Sequence, residues 1–146
     1  PPDNWRAMDR DGWLNLLLAE FIEPWLADQP TIIHDYPASQ AALAVVRQDD
    51  PAVAERFELY VNGVELANGY HELLDVAELR QRSEKINRLR VQDGRAELPV
   101  ESHLLEAMES GIADCCGVAL GMDRLAMVAS GATDIQQVIA FPFDRA

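Results

Sequence analysis

Two acidic residues near an Asn-Gly pair, Glu58 and Glu65, have a spacing that indicates cation chemistry. The Asn62-Gly63 pair lies between two strand-like runs and predicts a two-residue hairpin, because both central positions of a type I′ turn need a positive φ. Tyr60 would then face Glu65 and Glu58 would face Ala67, which places both carboxylates on one face. Carboxylates this close repel unless a cation lies between them, and Mg²⁺ is commonly held by one or two carboxylates and substrate phosphates. A solvated sheet face carrying glutamates would show the same pattern.

Three more residues on the second strand could bind a ligand: Asn68, Tyr70 and Glu72. By simple alternation along the strand they would point to the face opposite that of Glu65. They would join the face of the carboxylates only if one extra residue is inserted between Glu65 and Asn68. Gly69 is a suitable bulge residue for that insertion. Without it, the hairpin simply has a polar second face.

The segment of residues 117–124 (GVALGMDR) predicts a compact buried strand that leads into a helix. Its glycines would let a ligand approach the backbone, and the start of the helix offers free N–H groups. Arg124 lies in the first turn, where a guanidinium opposes the helix dipole unless an anion or an aromatic face uses it. An ion pair with Asp123 or another surface acid is the alternative. The segment lacks the Gly-Lys-Ser/Thr ending of a phosphate-binding loop.

An α+β fold, in which helices flank an antiparallel sheet, would position these residues. We predict helices over residues 3–28, 76–92, 101–110 and 122–129, and strands over residues 31–36, 55–61, 64–73 and 117–121. Asp9 or Asp11 would cap the first helix and Asp75 the second. We also expect one or two helical turns within residues 39–46, a turn at 48–51, and one turn and a final strand within 134–141.

Composition and charge exclude several classes of protein. The chain has 146 residues, of which 12 are Lys or Arg and 25 are Asp or Glu, so its net charge of −13 opposes binding to nucleic acid or to an anionic membrane by this chain alone. No apolar stretch approaches the roughly 18 residues of a membrane span. The two cysteines, Cys115 and Cys116, are adjacent, and such neighbours rarely form a disulfide. We therefore expect a reducing compartment, the cytoplasm, and buried thiols near the strand.

Three sequence blocks occur in a characteristic order: residues 56–75 (RFELYVNGVELANGYHELLD), 117–125 (GVALGMDRL) and 138–142 (VIAFP). Together they closely resemble the C-terminal half of the catalytic domain of class II lysyl-tRNA synthetases, and the second block resembles motif 3 of that family. The resemblance extends from residue 31 to the end, behind an N-terminal helical segment, residues 1–28. We interpret residues 1–146 as a partial catalytic domain of this family.

Within the family, the chain is more similar to a branch that lacks an anticodon-binding domain and attaches β-lysine to a lysine of elongation factor P. Residues 34–43 (HDYPASQAAL) carry Pro-Ala-Ser-Gln-Ala where the synthetases have Pro-Ala-Glu-Val-Ser-Pro. His71 and Ala119 stand where they have Ser and Gly, and the ending of residues 143–146 (FDRA) also resembles the branch. The alternatives are a true synthetase that charges tRNA-Lys and a non-catalytic, synthetase-derived binding domain.

The resemblance implies a use for ATP and Mg²⁺. Glu58 and Glu65 match the two magnesium-binding glutamates of the family, and Glu58 also contributes to the ATP site. Arg124 matches the catalytic motif 3 arginine, which stacks on adenine and reaches toward the γ-phosphate. The implied reaction is attack of a lysine-type carboxylate on the α-phosphate of ATP, which gives an aminoacyl-adenylate and pyrophosphate.

The resemblance also implies an amino-acid pocket. Asn68, Tyr70 and Glu72 match residues that line it, with Glu65 nearby and Glu72 facing a substrate ammonium. Ala119 would form part of a wall and bias the choice between lysine isomers, unless it merely packs in the core.

Two family motifs have no counterpart in these residues. Motif 1 serves dimerisation, and motif 2 carries the arginine that holds the α-phosphate; no Phe-Arg-x-Glu pattern occurs here. We therefore expect a longer full-length protein that forms a homodimer, and no amino-acid activation by these 146 residues on their own.

Overall fold

A computed structural model describes residues 8–47 and 53–143, and it contains one antiparallel sheet flanked by helices, the α+β fold predicted from the sequence. The strands are β1 (Thr31–Pro37), β2 (Val53–Val61), β3 (Val64–His71) and β4 (Cys116–Leu120), and they lie in that order across the sheet. The α-helices are α1 (Arg10–Leu17), α2 (Val76–Gln92), α3 (His103–Glu109) and α4 (Met122–Ser130).

The predicted hairpin joins β2 to β3 through Asn62 and Gly63. Their φ angles are 53° and 73°, which is the left-handed conformation that a type I′ turn requires at both positions. This turn matches the right-handed twist of the strands and therefore fixes the register at the closed end of the hairpin.

Helix α2 begins and ends at the residues expected from the sequence. The Asp75 side chain caps its start by accepting a hydrogen bond from the Glu78 N–H, and Gly94 follows its end with a φ of 72°. Asn87 is buried, and its amide both donates to and accepts from the backbone of Leu98. The chain after α2 is thereby held against the helix.

The contact between α2 and α3 combines an ion-pair cluster and an apolar core. Arg80 of α2 contacts Glu101 and Glu109, each with a closest N–O distance of 2.7 Å. The apolar core beside the end of β3 is formed by Leu73, Leu79, Leu105 and Met108. This core supports the segment that carries Glu72.

The N-terminal helical segment is less regular than predicted. It is α-helical only over Arg10–Leu17, continues as a π-helical turn over Leu18–Ile22 and ends as a 3-10 helix over Glu23–Ala27. Pro24 lies at the start of that last piece, where it has no N–H to donate to a regular α-helical bond. Asp9 provides the cap, and residues 3–7 of the prediction lie outside the described residues.

Two other expectations were met only in part within the described residues. The expected helical segment of residues 39–46 is limited to a 3-10 turn over Ala38–Gln40, and Ala44 and Val46 instead form β-bridges with Glu72 and Ala54. A 3-10 turn occupies Ile135–Gln137, but no strand follows it within residues 138–143. The turn expected at 48–51 lies in the undescribed part of the chain.

Strand β4 is exposed rather than buried as predicted. It pairs with β3 on one side, and no other described strand pairs with its second edge. Val118 is 61% exposed and Leu120 43%, and Cys115 and Cys116 are free and exposed instead of buried. Among the residues that the structure describes, no helix is both long and apolar enough to cross a membrane.

Candidate active site

Three neighbouring strands present the predicted residues on one face of the sheet. Glu58 of β2 pairs with Asn68 of β3, and Asn68 pairs with Ala119 of β4. Two residues away on each strand, Arg56 pairs with Tyr70, and Tyr70 pairs with Gly117. Residues two apart on a strand share a face, so these two rows form one continuous surface.

The extra residue required by the sequence argument is present, but it is not Gly69. Tyr60 pairs with Glu65 as predicted, whereas Leu59 pairs with Ala67, so Leu66 is the inserted residue. Glu58 consequently faces Asn68 and not Ala67. The Leu66 carbonyl accepts a hydrogen bond from the N–H of Gly121 at 2.8 Å, so the bulge is anchored to the residue that precedes α4.

The Glu58 carboxylate is surrounded by donors. Oε2 accepts hydrogen bonds from the hydroxyls of Tyr36 at 2.6 Å and Tyr60 at 2.7 Å. Oε1 accepts from the Asn68 amide at 2.9 Å and from the Arg56 guanidinium. Burial, followed by the hydrogen bond to Glu58, raises the pKa of both tyrosines above the usual range, so their hydroxyls stay protonated and donate.

Arg56 is a site residue that the sequence argument missed. Its guanidinium lies 4.2 Å from the ring centroid of Tyr36 and 6.0 Å from that of Tyr70. It also donates to the carbonyl oxygen of Gln40 at 3.0 Å. Alternation along β2 was the available signal, because it places Arg56 on the same face as Glu58.

Four of the residues predicted to bind the amino acid line one groove of about 390 Å³, whereas Glu65, also predicted there, does not line it. Its walls are formed by Leu43, Asn68, Tyr70, Glu72, Gly117, Val118 and Ala119. A Cβ added at Gly117 would overlap Oε1 of Glu72, so this carboxylate lies directly against the β4 backbone. The groove therefore combines an acidic group, an aromatic wall and an amide.

Arg124 and Glu65 lie together, since the helix start follows β4 directly. Nη1 of Arg124 donates to the Glu65 carbonyl oxygen at 2.8 Å and lies 3.5 Å from Oε2 of the Glu65 carboxylate. The two side chains are 47% and 36% exposed. The ion-pair alternative raised for Arg124 thus occurs, with Glu65 as the acid rather than Asp123.

The two carboxylates expected to hold Mg²⁺ differ in availability. Glu58 is only 8% exposed, and its four hydrogen-bond donors match the roughly four acceptor positions of a carboxylate. A metal ion bound by Glu58 would therefore have to replace Arg56 or Asn68. Glu65 fits an ion more readily because its carboxylate is more exposed and only loosely contacted by Arg124. No group of three or more His, Cys, Asp or Glu suited to a metal occurs among the described residues, so phosphates and water would complete the coordination.

Comparison with known proteins agrees with the fold and with the resemblance. A family model described as tRNA synthetases class II (D, K and N) matches residues 18–145. Proteins named elongation factor P–(R)-β-lysine ligase, from Salmonella arizonae and Klebsiella pneumoniae, are each 51% identical over 139 residues. The alignments cover 94% of this chain and 43% of those relatives, so the chain spans less than half of their length. The chain therefore belongs to the class II tRNA synthetase family that groups the D, K and N enzymes.

Proposed function

We propose that the protein containing this chain is a ligase that activates a lysine-type amino acid with ATP and transfers β-lysine to elongation factor P. The names of the relatives that are 51% identical support this substrate and this acceptor. The observation that carries the proposal is the groove in which Glu72 lies with Asn68, Tyr70 and Ala119. A carboxylate there would pair with the ammonium of a lysine-type side chain.

The groove residues would bind and orient the amino acid. The Tyr70 ring supplies an apolar wall for the methylene chain, and the nearby Arg56 guanidinium supports that ring. The Asn68 side chain is oriented by its hydrogen bond to Glu58 and by a longer contact of 3.4 Å with Arg56. Such fixed groups lower the entropic cost of aligning the amino-acid carboxylate for attack on the α-phosphate.

ATP would bind beside Glu65 and Arg124. The Arg124 guanidinium is nearly half exposed, so it can turn from Glu65 toward the adenine and the γ-phosphate of ATP. We propose Glu65 as a carboxylate ligand of Mg²⁺, and Glu58 as a second ligand that would bind the ion in place of Arg56 or Asn68. When bound, Mg²⁺ supplies positive charge that offsets charge on the phosphate oxygens.

The partners and location follow from the same proposal. Elongation factor P is the proposed acceptor, and the full-length protein is proposed to be a homodimer. The adjacent, unpaired cysteines support a reducing compartment, for which we propose the cytoplasm.

An exchange assay tests the activation step. The full-length protein is incubated with ATP, labelled pyrophosphate and either lysine or β-lysine, and the amino-acid-dependent exchange is measured. We expect exchange with a lysine-type amino acid, and a strong loss of it in Glu72→Gln. No exchange with either isomer would contradict the proposal and would favour a non-catalytic binding domain.

A transfer assay then tests the acceptor. Labelled amino acid is supplied with ATP and with either elongation factor P or tRNA-Lys. We expect label on elongation factor P. Label on tRNA-Lys instead would identify the protein as a true lysyl-tRNA synthetase.

A further inference from the structure

His71, the last residue of β3, contacts a carboxylate at each of its two ring nitrogens. Nδ1 contacts Oε2 of Glu55 on β2, and Nε2 lies 2.7 Å from Oδ1 of Asp114 in the segment before β4. An ionised carboxylate only accepts hydrogen bonds, so these two contacts favour a ring that is protonated at both nitrogens and positively charged. We call His71, Glu55 and Asp114 the histidine clamp. It joins β2 and β3 to the segment that enters β4.

The histidine clamp lies beside the backbone contacts of Glu72. The N–H of Glu72 donates to the carbonyl oxygen of Cys115 at 3.0 Å, and Cys115 directly follows Asp114. On the other side, Ala44 forms an isolated β-bridge with Glu72. The backbone of Glu72 is therefore held between two segments, one of which is tied to His71.

The side chain of Glu72 depends on the same segment. Its Oε1 lies directly against Gly117, two residues beyond Cys115. Cys116, which lies between them, is the residue that pairs with His71 across the sheet. A shift of residues 114–117 relative to β3 would move the surface against which the Glu72 carboxylate rests.

We propose that His71 is a positioning residue for Glu72, and that it sets the place of this carboxylate by holding Asp114 to the end of β3. The inference rests on the proposed function, in which Glu72 receives the substrate ammonium. Neither His71 nor Asp114 is among the residues that line the groove. His71 and Asp114 would therefore influence amino-acid binding only indirectly, through the position of Glu72.

A second ion-pair cluster provides a matched control. Arg80 joins α2 to Glu101 and Glu109, and its side chain is 35% exposed, close to the 30% of His71. None of these three residues lines the groove. A general effect of losing an exposed ionic contact would therefore appear equally in Arg80→Gln.

The test is amino-acid-dependent pyrophosphate exchange by the full-length protein at saturating ATP. We expect His71→Gln and Asp114→Ala each to raise the KM for the amino acid by about ten-fold, below the roughly 10²-fold that a displacement of 1 Å can cost. The kcat should stay close to wild type, as should the KM for ATP, which is measured separately at saturating amino acid. The double variant should be no worse than His71→Gln alone, because that substitution already removes the contact with Asp114.

Several outcomes would overturn the inference. An unchanged KM for the amino acid in both variants would do so, as would an equal rise in Arg80→Gln. Asp114 is 81% exposed, so its variants remain informative even if a change at His71 prevents folding. Absence of exchange by the wild-type protein would overturn the proposed function as well, whereas exchange with an unchanged KM would overturn only the role of His71.

Discussion

Arg56 and Glu58 lie two residues apart on β2 and form an ion pair whose side chains are only 17% and 8% exposed. The pair joins the two halves of the candidate site, because Arg56 lies near the Tyr70 ring of the groove while Glu58 holds Asn68. A charge left without its partner would keep only its contacts with neutral groups, which offset less of its desolvation than the opposite charge does.

Removing one member of this pair should therefore destabilise the protein more than removing both. We expect Glu58→Gln to lower the free energy of unfolding by about 3 kcal/mol, the lower end for breaking a buried pair, and Arg56→Met/Glu58→Gln to recover part of that loss. Urea denaturation of the full-length protein gives these values, with Arg80→Gln as a surface control expected to change by less than about 1 kcal/mol. Simple additivity of the two single changes would show that the pair has no coupling.

Local features of the fold could be predicted from the sequence. The turn at Asn62 and Gly63 and the cap at Asp75 depend on the conformations and side chains of a few neighbouring residues, and both are present. The shared face of Glu58 and Glu65 followed from strand alternation near that turn, where the register is fixed.

Features that depend on distant contacts could not be predicted in the same way. The inserted residue is Leu66, and its carbonyl accepts a hydrogen bond from Gly121, more than fifty residues later. The ring stacking of Arg56 depends on Tyr36, which comes from β1. The apolar sequence of β4 indicated burial, but its edge position leaves Val118 exposed in the described part of the chain.

Gly117→Ala should weaken amino-acid binding with little effect on ATP binding. The added methyl group would overlap the Glu72 carboxylate and displace it from the groove, so we expect the KM for the amino acid to rise about 10²-fold, as for a displacement of 1 Å. Gly121→Ala is the matched control, since its methyl group would meet Arg124 Cδ at an ordinary 3.4 Å. Equal effects of the two substitutions on exchange kinetics would contradict this placement of Glu72.

Loss of the Glu65 carboxylate should raise the magnesium requirement. We expect Glu65→Gln to increase the Mg²⁺ concentration needed for half-maximal exchange by at least about ten-fold. Loss of a residue that only supports a metal ligand already costs roughly 10- to 100-fold in metal affinity. The measurement is a Mg²⁺ titration of exchange at constant ATP, with Asp123→Asn as a control for a nearby surface charge. An unchanged titration midpoint would exclude Glu65 as a ligand.

The stability contribution of His71 should disappear at high pH. The hydrogen bond to Asp114, and next that to Glu55, raises the pKa of His71 in the folded protein. A histidine whose pKa is higher in the folded than in the unfolded protein stabilises the folded state. This contribution has its full size below the unfolded-state pKa of about 6.5 and is lost as the pH rises through the folded-state pKa. We therefore expect the difference in Tm between wild type and His71→Gln to be largest near pH 6 and to shrink above it.

The surroundings of the ring define the control for that experiment. The carboxylates that contact it are Glu55 of β2 and Asp114, and the residue paired with it on β4 is Cys116. Thermal unfolding of the full-length protein should be followed from about pH 5.5, above the usual carboxyl range, to about pH 9. A Tm difference that does not vary with pH would show that the ring is not charged in the folded protein.

Ala119→Gly should shift the choice between the two lysine isomers. Ala119 is exposed, pairs with Asn68 and lines the groove, so it does not pack in the core. Its methyl group lies on the strand position paired with Asn68, within the groove. There it would clash with the α-amino group of α-lysine, whereas the amino group on the β-carbon of β-lysine would avoid it. A difference of one methyl-sized group is worth roughly 1–3 kcal/mol, so we expect the ratio of kcat/KM for α-lysine over β-lysine to rise about ten-fold. Exchange assays with both isomers measure this ratio, and an unchanged ratio with unchanged Tm and ATP binding would place the discrimination at another groove residue.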